Sequence, residues 1–310
     1  MTTALKAIDE NHTHDASDDE ALTQHIPHRV DEPWSASRAE IKLDEKTEIA
    51  KYFCGHDFLV GENQSPESGR DTVASILVNQ GTTPNRVVLE VLQWIEEQDK
   101  HSVSQKPFFL TWYTPGHLVP TTLRAFRDKY RHLKTATKLF LFPGEVDEET
   151  ESVSGPDAED FAEKVQRKFT YAFLSSYSFD VVTGSVYFHL PRELRLQKAC
   201  ARLFASHKFL FLDSSKFKRE GERGYGIDEL LETADKVTVY TVSSSPARDE
   251  WIKSNFLRLC DELLEDNRDK VETDRTELKT LRLQIVGRDE KRTTGVEKKG
   301  ILINHRRKRK

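Results

Sequence analysis

The sequence predicts an α/β fold, a mostly parallel sheet with helices on both faces. From about residue 47 to residue 245, short apolar runs alternate with amphipathic stretches of helical period. That alternation is what βαβ units require, and their crossovers are right-handed. Several of the apolar runs are continuous rather than alternating, as in strands covered on both sides.

Taken in order, the strand candidates are VASILVN (73–79), PFFLTWY (107–113), TKLFLFP (137–143), TYAFLSS (170–176), KFLFLDS (208–214) and KVTVYTV (236–242). Between the first two, residues 84–97 place Val87, Val88, Val91, Leu92 and Ile95 on one stripe. Thr83 is the expected N-cap there, and Pro84 the first helical residue. Residues 156–169 open on Pro156 and carry Ala158, Phe161, Ala162, Val165 and Phe169 at helical period; residues 191–206 repeat the device with Pro191. After residue 245 a helix is expected with Trp251, Phe256, Leu259, Leu263 and Leu264 inward, then a strand at 278–287 and a further one before the end.

Of the 310 residues, 36% are hydrophobic and 32% charged, but the charge is segregated. Residues 1–45 hold eleven Asp/Glu against four Lys/Arg and show no apolar period, so a disordered acidic segment is expected. Residues 288–310 hold ten Lys/Arg against three Asp/Glu and end in HRRKRK. The expected organisation is therefore 1–45 disordered, 46–245 a globular domain, and 246–310 an extension with a basic tail. Arg306, Arg307, Lys308, Arg309 and Lys310 suit salt-sensitive contacts to DNA or RNA phosphates, or simple solubility. Aromatics are not interleaved there, which disfavours base stacking.

No apolar stretch approaches the ~18 residues of a membrane span. The first twenty residues lack the basic start, apolar middle and cleavage site of a signal peptide. Cys54, Cys200 and Cys260 stand far apart without metal-type pairing, and Cys200 reads as a buried helix residue. A reducing, cytoplasmic setting is expected, with no metal and no cofactor.

In open α/β sheets, ligands sit at the carboxyl ends of the strands, so the strand-end turns carry the functional signal. The first is Gly81-Thr82-Thr83, where glycine permits close approach and the N–H groups of a helix start favour an anion. TWYTPG (111–116) ends a strand in hydroxyls. The acidic loop 143–161 reads as a solvated face. In FLDSSKF (211–217), Ser215 and Lys216 follow a buried strand directly, and the lysine can meet an anion over the same crevice.

The order of these elements resembles the effector-binding domain of DeoR-family transcription regulators, over roughly residues 47–245. QGTT at the first strand end and DSSKF near residue 215 are its most specific parts. The resemblance implies a fold similar to ribose-5-phosphate isomerases and CoA transferases, a phosphorylated sugar as ligand, and a homo-oligomer. It implies that Gly81, Thr82 and Thr83 hold the phosphate and that Thr114 matches a strand end usually reading T-N-S, here followed by Pro115 and Gly116. Lys216 and Ser215 would meet the phosphate or a sugar oxygen, and Glu193 in PRELRLQK would contact the ligand.

The isomerases also use an aspartate pair. Ser175 and Ser176 stand where it is expected, with only Asp180 nearby as an expected ligand contact, so binding is expected to survive and isomerisation not to. The N-terminal helix-turn-helix of the regulators has no counterpart in residues 1–45. Three functions stay open: a phosphosugar sensor acting through oligomerisation, a partner or the tail; an isomerase-type enzyme using Glu193 and Lys216; and a scaffold that has lost its ligand.

Overall fold

The computed structural model describes residues 42–58, 72–101, 108–129, 136–147, 152–165, 167–268, 276–287 and 293–304. Most of the expected acidic segment, and the whole run Arg306–Lys310, lie outside the described residues.

Every apolar run becomes a strand. They are β1 (Thr72–Val78), β2 (Phe108–Thr114), β3 (Ala136–Leu141), β6 (Phe169–Leu174), β9 (Ala205–Phe211), β11 (Ala234–Val242), β12 (Thr276–Val286) and β13 (Thr294–Asn304). They form one sheet in the order β3-β2-β1-β6-β9-β11-β12-β13, parallel throughout except for the β12–β13 pair. The segment from residue 246, expected as an extension, instead continues this sheet through β12 and β13. Two hairpin-like additions complete the strands: β4 (Glu145–Asp147) with β5 (Ser152–Ser154), and a small sheet of β7 (Ser178–Asp180), β8 (Ser185–Phe188) and β10 (Glu222–Gly226).

The helices sort by face. α2 (Thr82–His101) and α3 (Leu118–Lys129) cross over on one side of the sheet, and α4 (Pro156–Lys164), α5 (Pro191–Ala201), α6 (Ile227–Glu232) and α7 (Pro246–Arg268) on the other. Alternating side chains divide accordingly: Ile76 and Val78 of β1 join the α2–α3 core, and Leu77 joins the opposite one. Strand order reverses between β1 and β6. Loops leave the sheet there toward opposite faces and leave a crevice at the strand ends.

This wiring leaves the α2–α3 face bare over β6, β9 and β11. The first described helix, α1 (Leu43–His56), fills that position. Its Phe53 meets Phe173, Phe209 and Phe211 edge-on at 4.8–5.4 Å between ring centroids. Asp57, just past the helix, receives Arg282 of β12 at 2.9 Å and the Tyr240 hydroxyl of β11. Residues 43–45, expected within the disordered segment, are thus the first turn of this helix.

Helix boundaries differ from expectation at several points: α2 runs on to His101, and α5 stops at Ala201, short of residue 206, because β9 begins at Ala205. α2 starts at Thr82 rather than Pro84, with the Asn85 N–H bonded to the Gly81 carbonyl at 3.2 Å. α4 stops at Lys164 because Val165 is extended, and Phe169 turns into the core as the first residue of β6.

Candidate functional site

The crevice at the β1/β6 reversal holds a cavity of about 190 Å³. Its walls come from the ends of β1 (Asn79–Thr83), β2 (Gly116–Val119), β6 (Ser175–Tyr177) and β9 (Asp213–Lys218), with α5 above and α1 alongside. Of the residues singled out in the sequence, it brings together Gly81, Thr82, Thr83, Glu193, Ser215 and Lys216.

Each wall has a local reason for its shape. Asn79 leaves β1 with its N–H on the Phe173 carbonyl at 2.8 Å, and its side-chain oxygen accepts from the Gln80 N–H at 2.9 Å. That bond turns the chain into Gly81, whose φ of 151° favours glycine. A Cβ on Gly81 would stand 3.1 Å from Ser175 Cβ and 3.2 Å from Pro84 Cδ, so the two strand-end loops touch there. The 20-residue helix α2 then points its N-terminus, with its free N–H groups and positive dipole end, into the cavity.

At the end of β9, Asp213 caps a single 3₁₀ turn, Ser214–Lys216. Its carboxylate accepts from the Ser215 N–H at 3.1 Å and from the Ser215 hydroxyl. The turn is also held from α1: Glu45 accepts from the Ser214 N–H at 2.8 Å and from its hydroxyl at 3.0 Å. Lys216 Nζ and Lys218 Nζ lie 5.7 and 5.0 Å from the Tyr177 ring centroid. Across the cavity, Gln80 Nε2 donates to Glu193 Oε1 at 3.3 Å.

Three of the buried polar atoms without a hydrogen-bond partner among the described residues belong to the lining: Asn79 Nδ2, Ser176 Oγ and Gln197 Oε1. All three residues are at least nine-tenths buried. A buried donor or acceptor left unmade costs about 1–3 kcal/mol, and the set here offers both to an occupant. The lining also carries three lysines, Lys46, Lys216 and Lys218, against two carboxylates, Glu193 and Asp213. Lys218 is ion-paired with Glu220, which leaves the lining near charge balance, and its unpartnered polar atoms suit a ligand presenting hydroxyl groups.

Two expected residues stand elsewhere. Thr114 is fully buried, and its hydroxyl accepts from the Gly116 N–H at 2.9 Å. It shapes the β2 turn, which presents Gly116 and His117 to the cavity instead. Asp180 ends β7, and its carboxylate accepts from the Val182 N–H at 2.9 Å and the Thr183 hydroxyl at 3.0 Å. It closes the β7–β8 hairpin turn and does not line the cavity.

Lys46, Asn79, Gln80, His117 and Gln197 line the cavity without having been singled out in the sequence. Gln80 is the first residue of QGTT, Asn79 adjoins it, and Gln197 lies four residues past Glu193, one helical turn on the same face. Lys46 carries no local signal, because α1 sits far away in sequence. Cys200 is fully buried, and burial pushes its thiol up to about 12, so it acts as core. Among the described residues no cluster of three His, Cys, Asp or Glu forms a metal site, and no helix is long and apolar enough to cross a membrane.

No family model and no curated protein matches the chain. Among solved structures, ribose 5-phosphate isomerase A from Methanocaldococcus jannaschii is similar at 10% identity and a TM-score of 0.32, over 57% of this chain and 55% of that one. eIF2B delta from Chaetomium thermophilum is similar at 13% identity and a TM-score of 0.32, over 58% and 51%. The match spans about half the length of each of these structures.

Proposed function

We propose that the cavity binds a phosphorylated sugar or a closely related phosphometabolite, and that the chain works as a sensor of the DeoR type. The observation that carries this is the meeting, at one sheet-end crevice, of a helix N-terminus, a lysine from the DSSKF turn and three buried polar atoms without a hydrogen-bond partner among the described residues. A helix start and an ammonium favour a phosphate, while the unpartnered amide and hydroxyl groups favour a polyol attached to it. In this reading the signal leaves through oligomerisation, a partner or the basic tail.

The test is calorimetric titration with ribose 5-phosphate, fructose 1-phosphate, glucose 6-phosphate and inorganic phosphate. Saturable binding of at least one, weakened by Lys216→Ala about tenfold or more, supports the reading. Silence across the panel, or affinity unchanged in Lys216→Ala, refutes it.

One observation favours an enzyme instead: the Glu193 carboxylate shares the cavity with Lys216. An isomerase needs a carboxylate that reaches the protons on two adjacent carbons. Among the described residues the one other lining carboxylate, Asp213, is engaged as a cap. Turnover of ribose 5-phosphate that disappears in Glu193→Gln would replace the sensor reading. Tyr177 stands in the cavity wall while Tyr113 stacks on Phe140 away from it, and the open space that remains, about 190 Å³, weighs against a ligand-less scaffold.

A further inference from the structure

A second recess opens at the other end of the strands from the cavity, and the two share no lining residue. It is a groove of about 840 Å³ between α4 and α5, bounded below by the segments that lead into β6 and β9. Its floor is apolar: Ala162, Val165, Ala199, Leu203 and Phe204. Phe204 is 56% exposed, the most of any described phenylalanine. Its backbone is nonetheless fixed, since the carbonyl accepts from the Phe169 N–H at 2.8 Å. The fold itself therefore holds this ring out to water.

The rim is charged, and unevenly so. On α5 and just past its end, Arg195, Lys198 and Arg202 are spaced by three and four residues, which sets them along one face. Arg167 and Lys168 close the end before β6, while α4 supplies Glu159 and Glu163 on the other wall. Lys168 and Arg202 reach the exposed carboxylates of Asp235 at 2.8 Å and Glu229 at 3.3 Å, pairs that water screens. Arg167 is held in place by Tyr113, whose hydroxyl accepts from it at 2.6 Å. Among the described residues, the side chains of Arg195 and Lys198 have no ion-pair partner. Five cations against two carboxylates thus surround an apolar floor.

From this we infer that the groove is a docking site for an acidic peptide segment of another protein, one that carries bulky apolar side chains between its carboxylates. The apolar anchors cover Phe204 and the floor. The carboxylates meet Arg195, Lys198 and Arg202, where arginine's planar fork takes a carboxylate through two N–H bonds. Arg195 and Arg202 stand about 10 Å apart along the helix direction, the reach of two turns of a partner helix. An apolar centre ringed by arginines is the anatomy of a protein interface. A nucleic acid fits less well. Glu159 and Glu163 would face its phosphates, and the floor offers one aromatic ring where strand binding stacks successive bases on several. This inference is independent of what the cavity binds.

Fluorescence anisotropy of the full chain with a labelled synthetic peptide tests it. The peptide is built of Glu and Asp with Leu or Trp at helical period, and a control carries Ser at those apolar positions. In about 0.15 M salt the expected result is saturable binding of the apolar-acidic peptide. The control binds about tenfold or more weakly, since carboxylates alone meet screened charges. Arg195→Glu combined with Lys198→Glu, and separately Phe204→Ser, each weaken the apolar-acidic peptide about tenfold or more. Circular dichroism stays unchanged, because Arg195 and Phe204 are exposed. Absence of saturable binding overturns the inference. So does binding that ignores both sets of substitutions, which would place the peptide on the basic run at the chain's end, or an oligothymidylate strand that binds more tightly than the peptide. If Phe204→Ser fails to fold, the charge reversal decides.

Discussion

Lys208 lies in the middle of β9 with no exposure to solvent. Its Nζ donates to the Ala201 carbonyl at 2.6 Å, to the Leu230 carbonyl at 3.4 Å and to the Thr233 hydroxyl. It therefore ties together the C-terminal ends of α5 and α6, where carbonyls lack helical partners. Two effects oppose each other at this nitrogen. Three acceptors suit the three N–H donors of an ammonium, whereas burial favours the neutral amine. Burial is the larger and brings the group from its ordinary 10.5 down to about 7, with Glu232 pulling it back up and Lys279 adding to the fall.

The consequence for stability has a definite sign. Between about pH 7 and 10.5 the unfolded chain holds a proton at this site that the folded chain does not, so stability rises with pH across that window. Below pH 7 both states are charged and the burial penalty is present in full; above 10.5 neither is, and it has vanished. At about 1.4 kcal/mol per pH unit, the ceiling on the change is about 5 kcal/mol. Lys208→Met keeps the length and removes the proton.

Urea unfolding of both proteins from about pH 6 to pH 11 gives the difference in stability, in which all other titrations cancel. That difference is expected to climb in favour of the native chain from neutral pH upward. A difference flat across the window would mean that the three acceptors hold the ammonium charged in the fold, and the reasoning from burial would be wrong.

Phe53→Ala removes the aromatic anchor of α1 from five ring neighbours. It is expected to cost about 3–5 kcal/mol by urea unfolding, and no loss would show that the face over β9 is covered otherwise. Arg282→Met leaves Asp57 with its charge largely buried, and about 3 kcal/mol of stability is expected to go with it. Gly81→Val forces a Cβ into Ser175 and Pro84 at a backbone angle that side chains rarely adopt. A strain of about 1–3 kcal/mol should be visible in thermal melts and, on the proposed function, should abolish phosphosugar binding in calorimetry.

The strands were legible because a parallel strand buried on both faces reads as a continuous apolar run, as several in this chain do. The strand-end residues followed from the same fact. Wherever a strand ends in small polar residues before a helix, as at Gly81–Thr83 and Ser215–Lys216, the next residues face the crevice by topology alone. Thr114 shows the limit: a strand-end hydroxyl can turn inward to hold its own loop, and the choice depends on the loop that follows. Asp180 fails for another reason. The run from Asp180 to Gly184 is a hairpin turn between β7 and β8, and the carboxylate is consumed in closing it.

α1 was hidden because its necessity is not local. Its stripe is short, it follows an acidic segment, and nothing near it announces a buried face. The need for it appears only when all crossovers after β3 are seen to fall on one side, leaving Phe173, Phe209, Phe211 and Tyr240 uncovered on the other. A helix that must lie there, over strand ends that form the cavity wall, brings its first turn to the DSSKF loop as Glu45 and to the cavity as Lys46. The same closure that completes the core therefore completes the site, and loosening α1 at Asp57 or Phe53 should weaken ligand binding along with stability.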